Sequence, residues 1–93
     1  MFVHKAMTAL AETGGSVSFA LPGARFHCML DINATSGDIR LRAKVLGEGR
    51  VFEGEVHRAE SIEAMKKFLR DEGNEEQVRF AIRQLWNRIE GRQ

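Results

Sequence analysis

The stretch GDIRLRAKVLGEGRVFEGEVH, residues 37–57, decides the fold. Apolar side chains alternate with polar or charged ones over residues 39–45 and again over residues 50–57, which is the pattern of a half-buried strand. The glycine-rich segment 46–49 lies between the two runs. A connection this short joins antiparallel neighbours, because parallel strands need a crossover of a dozen or more residues. The stretch therefore predicts a β-hairpin.

The residues before this hairpin predict a second one. Residues 16–21 alternate small or polar with apolar side chains, and residues 25–33 alternate again. Leu21-Pro22-Gly23-Ala24 has the proline and glycine of a type II turn between them. Residues 34–38 have the composition of a turn and connect this hairpin to the one at residues 37–57. Residues 16–57 are therefore predicted to form a four-stranded antiparallel meander, with one face of the second strand made by Phe26, Cys28, Leu30 and Ile32.

From Arg58 onward the apolar period changes to the 3.6 residues of a helix. Ser61 is predicted to cap the start of a first helix. Gly73 is predicted as the residue just after the end of that helix, where glycine is preferred. Asn74 is predicted to cap a second, with Gln77 completing a capping box. Two amphipathic helices over residues 60–90 must cover a one-faced sheet, which predicts an α+β sandwich. The two apolar stripes are Ile62, Met65, Phe68 and Leu69, then Val78, Ala81, Ile82, Leu85 and Ile89.

Two further expectations concern packing. Residues 1–15 hold apolar side chains at helical spacing before Gly14, but no residue that would cap a helix start, so they form either a short helix or a flexible arm. Trp86 lies on the flank of the last apolar stripe and is predicted to be substantially buried between that helix and the sheet.

Composition bounds the class of protein. A chain of 93 residues has room for a single domain, predicted over residues 1–93, and its net charge of +1 argues against a general nucleic-acid binder. Its one cysteine cannot form an internal disulfide, which fits a reducing compartment. The first residues hold no apolar run of the length that a signal peptide or membrane span needs. A small soluble cytoplasmic protein without membrane contact is predicted.

Groups that could carry catalysis or hold a metal do not converge. His27 and Cys28 are adjacent in a predicted strand, so their side chains point to opposite faces and cannot share a metal ion. Cys28 faces inward, where burial raises the pKa of a thiol. The glycine pairs lack the following lysine and hydroxyl residue of a phosphate-binding loop. We expect no catalytic site, no metal and no cofactor, and hence a protein that is not an enzyme.

A basic row on the outer sheet face is one candidate binding surface. It would let the protein bind nucleic acid weakly, since single-strand binders track phosphates with such rows. Glu53 and Glu55, with His57, are predicted on the same face, where cross-strand ion pairs would neutralise the row. The same two glutamates would discourage strand pairing at that edge, so a monomer or a homodimer through other surfaces is expected. The row consists of Arg25, Arg40, Arg42 and Lys44.

The outward face of the last helix is the candidate preferred here. An aromatic side chain between two arginines is a composition typical of protein–protein contacts. The face consists of Arg79, Phe80, Arg83 and Asn87, and Met29 on the outer sheet face offers a second contact surface. The leading hypothesis is a non-enzymatic protein–protein interaction module, with weak nucleic-acid binding as the alternative.

A resemblance to a known class bears on the partner. The order of elements from Arg25 onward, with GDIRLRAKV at 37–45, the turn at 47–49, Ser61-Ile62-Glu63 and a last helix ending in Arg88 and Arg92, resembles small phage-encoded anti-CRISPR proteins. The resemblance implies a regulator or inhibitor that binds a bacterial surveillance complex and blocks its access to DNA. A double-stranded RNA-binding domain is not favoured, because Glu60 and Glu63 at the start of the corresponding helix would repel phosphate.

Overall fold

Four antiparallel strands and three helices make up the computed structural model, which describes residues 2–21, 23 and 25–91. A short 3₁₀ turn, Glu72–Asn74, separates the last two helices. In chain order the elements are α1 (Phe2–Thr13), β1 (Ser16–Ala20), β2 (His27–Thr35), β3 (Asp38–Gly47), β4 (Arg50–Ala59), α2 (Ile62–Arg70) and α3 (Glu75–Ile89).

The sheet has the order β1-β2-β3-β4 with every neighbouring pair antiparallel, so the predicted meander and α+β class are confirmed. One face of the central strands is fully covered by the helices, and the predicted inward alternation holds along β2 and β3. The buried side chains of this face are Cys28, Leu30, Ile39, Leu41, Ala43 and Val45. The opposite, outer face carries the charged residues and is covered by no helix among the residues that the structure describes.

The β3–β4 turn shows why the hairpin closes so tightly. Gly47 pairs with Arg50, leaving a two-residue loop of Glu48 and Gly49. Both loop residues have positive φ, 54° and 73°, as a type I′ turn requires. In the β1–β2 connection Gly23 has a φ of 76°, which suits the predicted turn, whereas Pro22 and Ala24 lie outside the described residues.

A β-bulge in β4 corrects one sequence prediction. Leu41 pairs with His57 but Arg42 pairs with Glu55, so Val56 is an extra residue on β4. The bulge shifts the alternation by one residue, and the placement of His57 on the outer face beside Glu55 was therefore wrong. Instead the imidazole stacks on the ring of Phe68 in α2, with centroids 3.7 Å apart and planes 9° from parallel.

Burial against Phe68 makes the protein sensitive to acid through His57. Desolvation lowers the pKa of His57 below its ordinary value of 6.5, so the folded protein binds this proton less readily than the unfolded chain. The contribution of neutral His57 to the free energy of unfolding is fully present above pH 6.5, and it is lost as the pH falls through the pKa of His57 in the folded protein. We expect the urea midpoint to fall between pH 7.5 and 5.5, and to fall less in His57→Phe, which keeps an aromatic ring on Phe68.

His27→Asn is the control for that experiment, since His27 is exposed on the outer sheet face. The urea midpoint of His27→Asn should fall between pH 7.5 and 5.5 by as much as that of the unchanged protein. Equal losses in His57→Phe and the unchanged protein would show that His57 does not cause the difference.

Residues 1–15, which were left open between helix and arm, contain the helix α1. Its apolar stripe packs against α2, β1 and α3, and Val3, Met7 and Leu10 are fully buried. Gly14 ends the helix as predicted, with a φ of 70° and its N–H donating to the Leu10 carbonyl at 2.8 Å.

The junction between α2 and α3 corrects the predicted caps. Ser61 does cap α2, accepting from the Ala64 N–H at 3.1 Å. Gly73, however, lies inside the 3₁₀ turn, and Asn74 makes no side-chain cap for α3. The Asn74 amide instead donates to the Phe68 carbonyl at 2.9 Å, satisfying the end of α2. The predicted capping box does not form, because the Asn74 side chain is bound to the Phe68 carbonyl instead.

Candidate functional site

Helix α3 is held on the sheet at both ends by side chains. Near its start the Gln77 amide donates to the carbonyl of the bulged Val56 at 2.9 Å, so Gln77 is not part of a capping box. At its end Arg50 of β4 donates through Nη1 to the Ile89 carbonyl at 2.8 Å. These bonds fix a helix whose outward side borders two grooves.

The first groove, here called the α1–α3 groove, has a volume of about 360 Å³. Its floor and walls are apolar and its rim carries two guanidinium groups. It is lined by Val3, Leu21, Arg79, Ile82, Arg83 and Trp86. The second, here called the β4–α3 groove, has a volume of about 340 Å³ and lies between the bulged edge strand and the other side of α3, with Gly54, Phe80, Ala81 and Leu85 among its lining residues.

Glu75 is the buried charged residue among those the structure describes, and it pairs with Arg79, which lines the α1–α3 groove. Its Oε2 accepts from the backbone N–H of His4 in the first turn of α1 at 3.3 Å. The same oxygen lies 3.5 Å from Nε of Arg79, one turn along α3. Glu75 thereby satisfies an N–H in the first turn of α1 and holds Arg79 at the rim.

Arg83, the next basic residue along this rim, is exposed and makes no hydrogen bond or ion pair with any other described residue. At the rim, the Arg79 guanidinium is therefore fixed by the Glu75 carboxylate, whereas the Arg83 guanidinium is exposed to solvent. Since Arg cannot deprotonate at neutral pH, the groove has a positive edge.

Trp86 is mostly buried, in agreement with the prediction, but it lies at the border of the core. It lines the α1–α3 groove while packing on the core. Its ring meets that of Phe26 edge-on, with centroids 5.0 Å apart and planes 82° apart. The flank position of Trp86 on the helix places it at the border of the core rather than beneath α3.

The predicted outward face of α3 divides between the two grooves. Arg79 and Arg83 line the α1–α3 groove, whereas Phe80, 59% exposed, lines the β4–α3 groove on the other side of the helix. Asn87 is half-buried and borders neither groove. Met29 is half-buried on the outer sheet face, so the sheet separates it from α3.

The outer sheet face holds three members of the predicted basic row, Arg40, Arg42 and Lys44, whereas Arg25 precedes β2 and lies near Ile89 at the end of α3, so its placement in the row was wrong. Arg42 donates to Glu53 at 3.0 Å, and Arg40 lies 2.9 Å from Asp38 and 3.8 Å from Glu55. The exposed Arg25 and Glu48 approach to 3.6 Å, and Lys44 makes no ion pair within the described ranges. Cross-strand carboxylates therefore offset most of the positive charge on this face.

Cys28 is buried on the helix side of the sheet, and desolvation raises the pKa of its thiol to about 11. A thiol with this pKa is almost wholly protonated at neutral pH, so it is a poor nucleophile. His27, its neighbour, is exposed on the opposite face. Over residues 2–21, 23 and 25–91, no three His, Cys, Asp or Glu side chains gather in a way that could hold a metal ion.

Sequence reasoning missed Glu75 as a functional residue. The spacing Glu75-x-x-x-Arg79 is the available signal, because residues four apart on a helix can pair. What could not be inferred is the contact with His4, 71 residues away in the chain. Val3 and Leu21 were likewise not recognised as groove residues, since α1 and the end of β1 meet α3 only in the folded protein.

Comparisons of this chain with protein-family models, curated proteins and solved structures found no match. No helix in the part of the chain that the structure describes has the length and apolar content needed to cross a membrane.

Proposed function

We propose that this protein is a non-enzymatic protein-binding module whose contact element is α3. The observation that carries the proposal is Phe80, a large apolar side chain that is 59% exposed on the outward side of a helix bordered by two grooves. A lone protein gains little by exposing a phenyl ring. A partner that covered the ring would gain its apolar burial.

The side chains beside Phe80 suit a protein contact. Arg is enriched at the energetic centres of interfaces because its planar head pairs with carboxylates in two parallel hydrogen bonds and stacks on rings. Arg83 has no partner among the described residues, so it enters an interface without first losing an internal ion pair.

The resemblance to small phage-encoded anti-CRISPR proteins suggests the kind of partner. It supports a regulator that binds a bacterial protein complex and blocks its access to DNA. Of the residues that carry the resemblance, Arg92 lies outside the described residues.

Weak nucleic-acid binding through the outer sheet face is the second candidate, and Lys44 supports it by lacking an ion pair within the described ranges. The pairing of Arg40 and Arg42 with carboxylates argues against it, because phosphates would compete with Asp38 and Glu53. Binding that depends on phosphate contacts weakens steeply between about 50 and 200 mM salt.

Affinity capture from a lysate of the cells that naturally contain the protein tests the proposal. We expect Phe80→Ala and Arg83→Glu each to reduce retention of the same partner about tenfold, a typical result at a contact that dominates binding. Neither should lower the thermal midpoint by more than about 2 °C. Phe80 is exposed, and a glutamate at position 83 would lie four residues from Arg79 and could pair with it.

Two matched variants on the outer sheet face serve as controls. Val51→Ala removes an apolar side chain that is 55% exposed, and Lys44→Glu reverses one charge. Both should retain the partner in full. Loss of binding with Lys44→Glu but not with Arg83→Glu would overturn the proposal and favour the outer sheet face.

A further inference from the structure

We propose that the α1–α3 groove binds a segment of the partner protein in which a large apolar side chain lies next to a carboxylate. This inference rests on the proposed function and specifies the chemistry that the partner must present. It is carried by the combination of an apolar floor with a rim of two arginines, one of which has no internal partner among the described residues.

The floor explains the apolar part of the ligand. Leu21 and Trp86 are partly buried and provide the accessible apolar surface, and Val3 and Ile82, which are buried in the core, hold that surface in place. A volume of about 360 Å³ lies within the range of roughly 300–1,000 Å³ found for ligand sites. An aliphatic or aromatic side chain entering it would displace water from both surfaces.

The rim explains the carboxylate. Arg79 is already positioned by Glu75, so a ligand need not order that side chain. The groove is lined by two arginines and no acidic residue, and because Glu75 offsets Arg79, Arg83 leaves one positive charge that a single carboxylate would balance. Arg83 would supply the pairing nitrogens, because its guanidinium has no competing partner within the described residues.

The position of Trp86 makes the inference directly testable. It is the one tryptophan in the sequence, so all tryptophan emission comes from a residue that lines this groove. The probes are three blocked tripeptides without aromatic side chains: acetyl-Leu-Glu-Leu-amide, its Gln analogue, and acetyl-Ser-Glu-Ser-amide. We expect only the first to change the emission of Trp86 saturably, with a Kd of about 1 mM or tighter, since both parts of the recognition are needed.

Substitutions of Arg83 assign the carboxylate contact. Arg83→Gln should weaken binding of acetyl-Leu-Glu-Leu-amide at least fivefold, and Arg83→Lys should restore part of the affinity by restoring the charge. Lys44→Gln is the matched control, because it removes the same charge from the far side of the sheet and should leave the Kd unchanged. Equal thermal midpoints for these variants show that folding is intact.

Three results would overturn the inference: equal binding of the Glu and Gln peptides, an unchanged Kd in Arg83→Gln, or binding of octanoate with no response to any peptide. The last would show that the groove takes a free apolar acid instead of a protein segment. Loss of partner capture in Phe80→Ala would still support the proposed function in each case, because Phe80 does not line this groove.

Discussion

Replacing Gly47 by alanine is expected to lower the free energy of unfolding by about 3 kcal/mol. A Cβ at this position would overlap the ring of Phe26, and its φ is not in the left-handed region, so the cost is steric. Phe26 is 2% exposed and meets Trp86 edge-on, which leaves its ring little room to move. Urea denaturation followed by Trp86 emission measures the change.

Gly54→Ala is the control for this prediction. A Cβ at Gly54 would lie 3.7 Å from Cδ2 of Leu85, an ordinary contact, so the change should stay within about 0.5 kcal/mol. In a Phe26→Leu background, Gly47→Ala should cost at least about 1 kcal/mol less, because the smaller side chain can retreat. A loss of the same size in both backgrounds would contradict the steric explanation.

Leu10→Ala is expected to lower the free energy of unfolding by about 3 kcal/mol, which lies within the range for a fully buried leucine. Leu10 is wholly inaccessible to solvent within α1, where it belongs to the same core as the sheet and the other helices. A flexible arm would contribute almost nothing. Chemical denaturation therefore tests directly which of the two sequence alternatives holds in solution.

The exposed Glu12 provides the comparison within the same helix. Glu12→Ala should change stability by less than about 0.5 kcal/mol. If Leu10→Ala were as mild as Glu12→Ala, the placement of α1 against the core would be wrong.

The meander and its inward face could be predicted from sequence because alternation and turn chemistry are local signals. β3 shows this most clearly, since Ile39, Leu41, Ala43 and Val45 are all buried as their spacing required. The bulge at Val56 could not be predicted, because a single inserted residue leaves the alternation of β4 unbroken in the sequence. That one residue was enough to move His57 from the outer face to the helix side.

The candidate site was only partly predictable, for a different reason. Helical spacing correctly placed Phe80 and Arg83 away from the apolar stripe, and both are exposed. It could not show that the two side chains border separate grooves, because the opposite wall of each groove comes from a distant element. Likewise, the acceptor of the His4 N–H at the start of α1 is Glu75 in α3, which no local pattern indicates.

The hydrogen bond from the His4 N–H to Glu75 also has a consequence for folding during translation. The acceptor is made 71 residues after the donor, a delay of roughly 4–14 s at ordinary translation rates of about 5–20 residues per second. During that interval the His4 N–H has no Glu75 carboxylate to accept from it. The contact between α1 and α3 therefore forms only after the last helix has been translated, whereas α1 can pack against β1 and α2 before then.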